Sequence, residues 1–186
     1  MLFHKPLIRF LLLSVAISSF AYGESLTPLR HFAEYSTWSD IKVSPSGQYL
    51  AGIVNNESGL AGSKLVVIDT VSRKYLHEVN MTGRAFVARY IWANNERLIA
   101  WEGNKNGISE SPYPTGNIIA VNVDGRKKRW IYGSGKQAKS HVTRFSGRSG
   151  AIVEHRLPDD DKHVLMQVYS AGRDGAHTRL VKLNIY

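Results

Sequence analysis

Apolar and polar residues alternate in Ser39-Asp-Ile-Lys-Val43, with Ile41 and Val43 set against Asp40 and Lys42. That period of two predicts a strand buried on one face, with Ile41 and Val43 inward. Ser44-Pro-Ser-Gly47 follows. Proline presets φ for the second turn position and glycine relaxes the exit, so these four residues predict a type I turn. Tyr49-Leu-Ala-Gly-Ile-Val54 reads as the returning strand. A lone hairpin is marginal in water, so this unit has to belong to a larger sheet.

The pattern continues with a polar, glycine-bearing loop over 55–63. Lys64-Leu-Val-Val-Ile-Asp69 is an apolar run of strand length, and Lys74-Tyr-Leu-His-Glu-Val79 alternates as a fourth strand. The same order then recurs. Ala85–Trp92 is a strand, 93–96 a turn, Arg97–Trp101 a strand, and 103–115 a long polar loop. Asn117-Ile-Ile-Ala-Val-Asn122 is the next apolar strand, and Lys127–Tyr132 closes the second unit after the hairpin pair Asp124-Gly125. A third unit follows: Ala151–His155, a turn over 157–161, His163–Tyr169, a loop over 170–176, and Arg179–Ile185. Its fourth strand is absent from the sequence. Among the strand residues, Val66, Ile68, Ile119, Val121 and Leu180 are expected to be buried, since each lies on a third strand flanked by neighbours.

Repeating four-stranded units of about 50–60 residues are the pattern of β-propeller blades. The fold expected is therefore all-β: about three four-stranded antiparallel blades of an incomplete propeller, the last one truncated. The expected boundaries are 1–23 for a signal peptide, 24–38 for a linker with a short helix, 39–82 for blade 1, 83–136 for blade 2 and 137–186 for an incomplete blade 3. A β-sandwich has similar strand counts, but the recurring strand, turn, strand, loop order favours blades.

The N-terminus changes the setting. His4, Lys5 and Arg9 precede an apolar run from Phe10 to Phe20, and Ala21-Tyr-Gly23 places small residues around a cleavage position. The run is too short to span a bilayer comfortably, so a periplasmic or secreted protein is expected, with no stable membrane anchor after cleavage. The linker residues Thr27 and Pro28 suit the cap and first position of a short helix. There are no cysteines, which excludes disulfides and thiolate metal sites.

The formal net charge of +9 raises nucleic acid as a partner. The one dense basic run, Arg126-Lys-Lys-Arg129, sits just before a strand. Charges there discourage edge-to-edge pairing, and an exported protein seldom meets nucleic acid, so no nucleic-acid partner is expected. Gly147-Arg-Ser-Gly-Ala151 is a superficial likeness to a nucleophile elbow, because Ala151 occupies the last glycine position and no strand-to-helix turn surrounds Ser149. Gly133-Ser-Gly-Lys136 is followed by Gln137 where a phosphate loop needs Ser or Thr. His31, His77, His141, His155, His163 and His177 show no metal-ligand spacing on one element, and Asp159-Asp-Asp161 lacks the spaced oxygens of a calcium loop and is expected as an exposed turn. The site expectation is therefore no catalytic, cofactor-binding or metal residue, and no cofactor.

Four segments together carry a resemblance. Phe32-Ala-Glu-Tyr-Ser-Thr-Trp-Ser-Asp-Ile-Lys-Val-Ser-Pro-Ser-Gly47 resembles the first propeller strands of exported peptidases of the prolyl oligopeptidase family, relatives of acylaminoacyl peptidase and dipeptidyl peptidase. Those proteins usually carry Asp where this chain has Ser46. Trp92–Ile99, Gly116–Gly125 and Leu157–Leu165 are similar to later blade segments of the same family, in the same order. The resemblance implies the N-terminal, non-catalytic propeller portion of such a serine peptidase, gating access of short peptides to a hydrolase domain that carries Ser, Asp and His. No motif of that domain occurs in the 186 residues, so none of its residues carries over and the chain is expected to be inactive alone. The alternative reading is a periplasmic propeller-type binding or scaffold protein.

Overall fold

The computed structural model describes residues 37–56, 62–81, 83–107, 111–133, 150–172 and 175–186. The expected signal peptide, the short helix after Thr27, and Ser149 lie outside the described residues. Eleven strands occur among the described residues, and no helix.

The first sheet joins β1 (Trp38–Val43), β2 (Tyr49–Asn55), β3 (Ser63–Asp69) and β4 (Tyr75–Asn80). The second joins β5 (Phe86–Trp92), β6 (Arg97–Asn104), β7 (Tyr113–Asn122) and β8 (Arg129–Tyr132). The third joins β9 (Gly150–Glu154), β10 (His163–Gly172) and β11 (Gly175–Asn184). Every pairing is antiparallel and each sheet runs in chain order. The described residues thus form three consecutive meanders of four, four and three strands.

Turn chemistry sets the hairpins. The Gly47 N–H donates to the Ser44 carbonyl at 2.9 Å, and Gly47 has φ of 78°. The Gly125 N–H donates to the Asn122 carbonyl at 2.8 Å, also with φ of 78°. Both are type I turns that leave through a left-handed residue, the conformation glycine adopts without penalty. At Gly125 a side chain is barred twice, because a Cβ would also overlap the His77 ring.

The second sheet is covered on both faces. Leu98, Ala100, Ile119 and Val121 face the first sheet, where they pack with Ala51, Ile53, Leu65, Val67 and Val79. Ile99, Trp101, Ile118, Ala120 and Ile131 face the third sheet, where they meet Val164, Met166, Val168 and Leu183. This explains why 98–101 and 118–121 are unbroken apolar runs: a strand with neighbours on both faces has no solvent side to keep polar.

The opening strand departs from its pattern. Ile41 and Val43 are 55% and 54% exposed, and Lys42 pairs instead with Ala51 on the seam side. The cause is a bulge. Register shifts between Ser39 and Lys42, and Asp40 takes φ of 50°, a conformation its short polar side chain tolerates. One extra residue transfers the following side chains to the other face. The Tyr90 hydroxyl secures the bulge, lying 2.7 Å from the Asp40 carbonyl and 2.6 Å from that of Ala51. The Lys42 ammonium lies 4.6 Å from the Tyr90 ring centre and donates to the Tyr90 carbonyl at 2.8 Å.

Other expectations are corrected too. Leu180 is 61% exposed and Ile68 only half-buried, whereas Val66, Ile119 and Val121 are buried. Leu180 and Ile68 point to the outer faces of the third and first sheets, away from the seams with the second sheet. The expected loops over 103–115 and 170–176 are shorter than the pattern predicts. β6 and β7 extend to pair Asn104 with Tyr113, and β10 and β11 pair as far as Gly172 with Gly175.

Candidate functional site

The first turn of each sheet lies at one end of the stack, and the three turns together line a cleft of about 480 Å³. Pro45 contributes from the first sheet, Ala93, Asn94 and Asn95 from the second, and Arg156, Leu157 and Asp159–Asp161 from the third. The local chemistry of each turn places these groups. The Asn94 side-chain oxygen accepts from the Glu96 N–H at 3.0 Å, closing the β5–β6 turn. Its amide nitrogen donates to the Asp161 carbonyl and to the Tyr186 hydroxyl, each at 3.0 Å, tying second sheet to third. Asp159 takes φ of 57°, which folds the β9–β10 connection back on itself.

Asp160 is the hub of the third turn. It accepts from Lys182 Nζ at 2.6 Å and faces His163 Nδ1 at 2.9 Å, and the Lys162 N–H donates to it at 3.1 Å. These donors, Lys182 first and His163 next, hold its carboxyl well below the ordinary carboxylate range. With Asp160 ionised, Nδ1 of His163 carries the proton and Nε2 is left beside the Asn184 amide at 3.4 Å. Asp159 and Asp161 are exposed. The expectation of a simple exposed acidic turn therefore holds for those two and is corrected for Asp160, whose partners lie on the strands β10 and β11.

Chemically, the cleft offers side-chain amides, carboxylates and one guanidinium, a set that hydrogen-bonds polar backbone and basic groups. A second cleft of about 320 Å³ lies at the same end, lined by Tyr49, Asp69, Leu76, Glu96, Val123, Asp124 and Arg126 among others. Asp69 there accepts from the N–H groups of Val71 and Ser72 and from the Ser72 hydroxyl, contacts led by Ser72 that depress its pKa.

Arg97, on β6, is fully buried behind this end. Nε donates to the Ile185 carbonyl at 2.5 Å, one terminal nitrogen to Asn122 Oδ1 at 2.6 Å and the other to the Lys127 carbonyl at 3.1 Å. The Tyr186 ring centre lies 4.4 Å from the guanidinium. Burial lowers its pKa to about 10. The basic run beside it is engaged too, two of its members at Tyr186, one within its own turn and one at the first sheet. Arg126 pairs with Asp124 at 2.5 Å, Lys127 lies 5.1 Å from the Tyr186 ring centre, Lys128 donates to the Asn80 carbonyl at 2.6 Å, and Arg129 donates to the Tyr186 carbonyl.

Sequence reasoning named no site residue, and it missed both Asp160 with His163 and Lys182 and the burial of Arg97. The available signal was an Asp and a His three apart across a turn. The lysine that completes the cluster lies some twenty residues further on and has no local mark. Of the histidines, His77 packs against Gly125, and His31 and His141 lie outside the described residues.

No family model and no curated protein matches this chain. Among solved structures, that of a candidate conserved lipoprotein from Clostridium novyi NT is similar, at 11% identity over 81% of this chain and 89% of that one, with a TM-score of 0.49. A likeness of that size carries no argument about function.

Proposed function

We propose that this chain is the non-catalytic, propeller-type portion of an exported peptidase of the prolyl oligopeptidase family, gating the access of short peptides to a hydrolase domain outside these 186 residues. The observation that carries the reading is the covered second sheet: consecutive meanders stack face to face in chain order, as propeller blades do. The described parts of the four resembling segments, from residue 37 onward, lie in the strands and turns of those meanders. Export is supported by the basic start and apolar run before Gly23. The polar cleft formed by the first turns suits transient contact with peptide backbone. A scaffold role is the second reading, favoured by the apolar residues on the outer faces of the first and third sheets.

The test is an assay of purified residues 24–186 on short chromogenic peptides, with a serine-reactive fluorophosphonate as a probe. The expected result is no turnover and no labelling from this chain, and both from a product extended through a hydrolase domain. Turnover together with labelling at Ser149 would overturn the reading.

A further inference from the structure

The connection between β6 and β7 carries a reactive pair that no strand or cleft uses. Pairing of the two strands ends at Asn104 with Tyr113, and Asn106-Gly107 lies just beyond it, both residues exposed. Asn106 is the only asparagine of the sequence that precedes a glycine. Neither the Asn106 side chain nor the Gly107 N–H bonds to any described residue. The space around Gly107 is open, since a Cβ built there would meet nothing within 4 Å. An amide carbon and the backbone nitrogen that can attack it therefore stand side by side, wetted and unheld.

Other places with related chemistry are tied down. Asn122 Oδ1 is held by Arg97 at 2.6 Å, and Asn117 donates to Glu102 at 3.3 Å. Their successors, Val123 and Ile118, are β-branched and crowd the following N–H. Asn94 is fixed to its own turn and to the third sheet. Asp124-Gly125 has the same spacing, but the Gly125 N–H donates to the Asn122 carbonyl at 2.8 Å and Arg126 binds both oxygens of Asp124.

We propose that Asn106 is a modification site, where the chain deamidates itself with solvent water as the only co-reactant. Hydroxide removes the Gly107 amide proton, and the nitrogen forms a bond to Asn106 Cγ. The side-chain nitrogen takes a proton from water and leaves as ammonia, which regenerates hydroxide and closes a succinimide ring. Water then opens the ring at one of its two carbonyls. Opening at Cγ gives aspartate, and opening at the main-chain carbon gives isoaspartate. Nothing is oxidised or reduced. Glycine permits the ring because it has no Cβ and reaches backbone angles that other residues avoid. The product replaces a neutral amide by a carboxylate, lowering the formal net charge of +9 by one. In isoaspartate the main chain also gains a carbon. The pairs nearest the change, Asn104 with Tyr113 and Gly103 with Pro114, should loosen, while the buried pairs Leu98 with Val121 and Ile99 with Ala120 should hold.

This inference goes beyond the proposed gating role and does not depend on it. The test is to incubate the folded full chain in mildly alkaline and mildly acid buffer, digest it and follow each asparagine peptide by mass spectrometry. An isoaspartyl carboxyl methyltransferase with labelled methyl donor detects isoaspartate. Conversion is expected at Asn106 ahead of Asn94, Asn117 and Asn122, faster in alkali, and yielding both products. Gly107→Ala, which the open space accommodates, should lose most of the conversion, and Asn106→Gln all of it. No conversion of the folded chain at Asn106, with conversion in urea, would overturn the proposal by showing that the fold holds the pair apart. Aspartate without isoaspartate would overturn the ring step, and so would an unchanged rate in Gly107→Ala. The peptide and fluorophosphonate assay reads none of these results, so the two proposals fail separately.

Discussion

Arg97 donates from Nε to the carbonyl of Ile185 at 2.5 Å, joining the second sheet to the residue that follows the last strand of the third. Eighty-eight positions separate the two residues in sequence. The guanidinium has no carboxylate partner among the described residues and is held by carbonyl and amide oxygens and an aromatic face. With its pKa near 10 it remains charged at neutral pH.

Arg97→Met should therefore destabilise the protein by about 2–5 kcal/mol, since it leaves the buried Ile185 carbonyl and two partly buried acceptors, Asn122 Oδ1 and the Lys127 carbonyl, without their donor. Arg97→Lys should recover only part of the loss, because an ammonium cannot reproduce the planar fork. Urea denaturation of both variants checks this. Equal stability of the Met variant and the parent would remove Arg97 from its role at the joint.

Asp160→Asn should lower stability at neutral pH in a way that fades with acid. A carboxyl held below its ordinary value in the folded state stabilises above the unfolded pKa, and that stabilisation is lost as pH falls through the folded pKa. The gap between parent and variant should thus be full above pH of about 4 and shrink below it. Thermal unfolding across pH 2–7 gives the readout, and a pH-independent gap would remove the Lys182 and His163 contacts as its cause.

Gly125→Ala should combine two penalties, a left-handed backbone strain of about 1–2 kcal/mol and overlap with His77. His77→Ala should relieve the overlap and leave the strain, so the double variant should be more stable than additivity allows. Denaturation of the two single variants and the double variant closes the cycle.

Ile119→Ala should cost about 2–5 kcal/mol, as for a fully buried aliphatic side chain. Ile68→Ala should cost clearly less, because Ile68 is half-buried on an outer face. Equal losses in chemical denaturation would mean that something covers the first sheet.

Much of the architecture is written locally. Turn residues at 44–47 and 122–125, and apolar runs at 64–69, 98–101 and 118–121, determine where strands start, stop and reverse. The unbroken runs of the second meander already mark a sheet buried on both faces, because alternation disappears when neither face meets water. What the sequence pattern misjudged was which face of β1 points inward. Alternation placed Ile41 and Val43 inside, and the bulge at Asp40, drawn to the Tyr90 hydroxyl fifty residues away, turned them out. The cluster of Asp160, His163 and Lys182 and the burial of Arg97 were likewise decided only by packing, because each joins groups on different strands. Period and turn propensity act over a few residues. Desolvating a charge depends on which acceptors the folded sheets bring to it, and the tertiary structure alone supplies those.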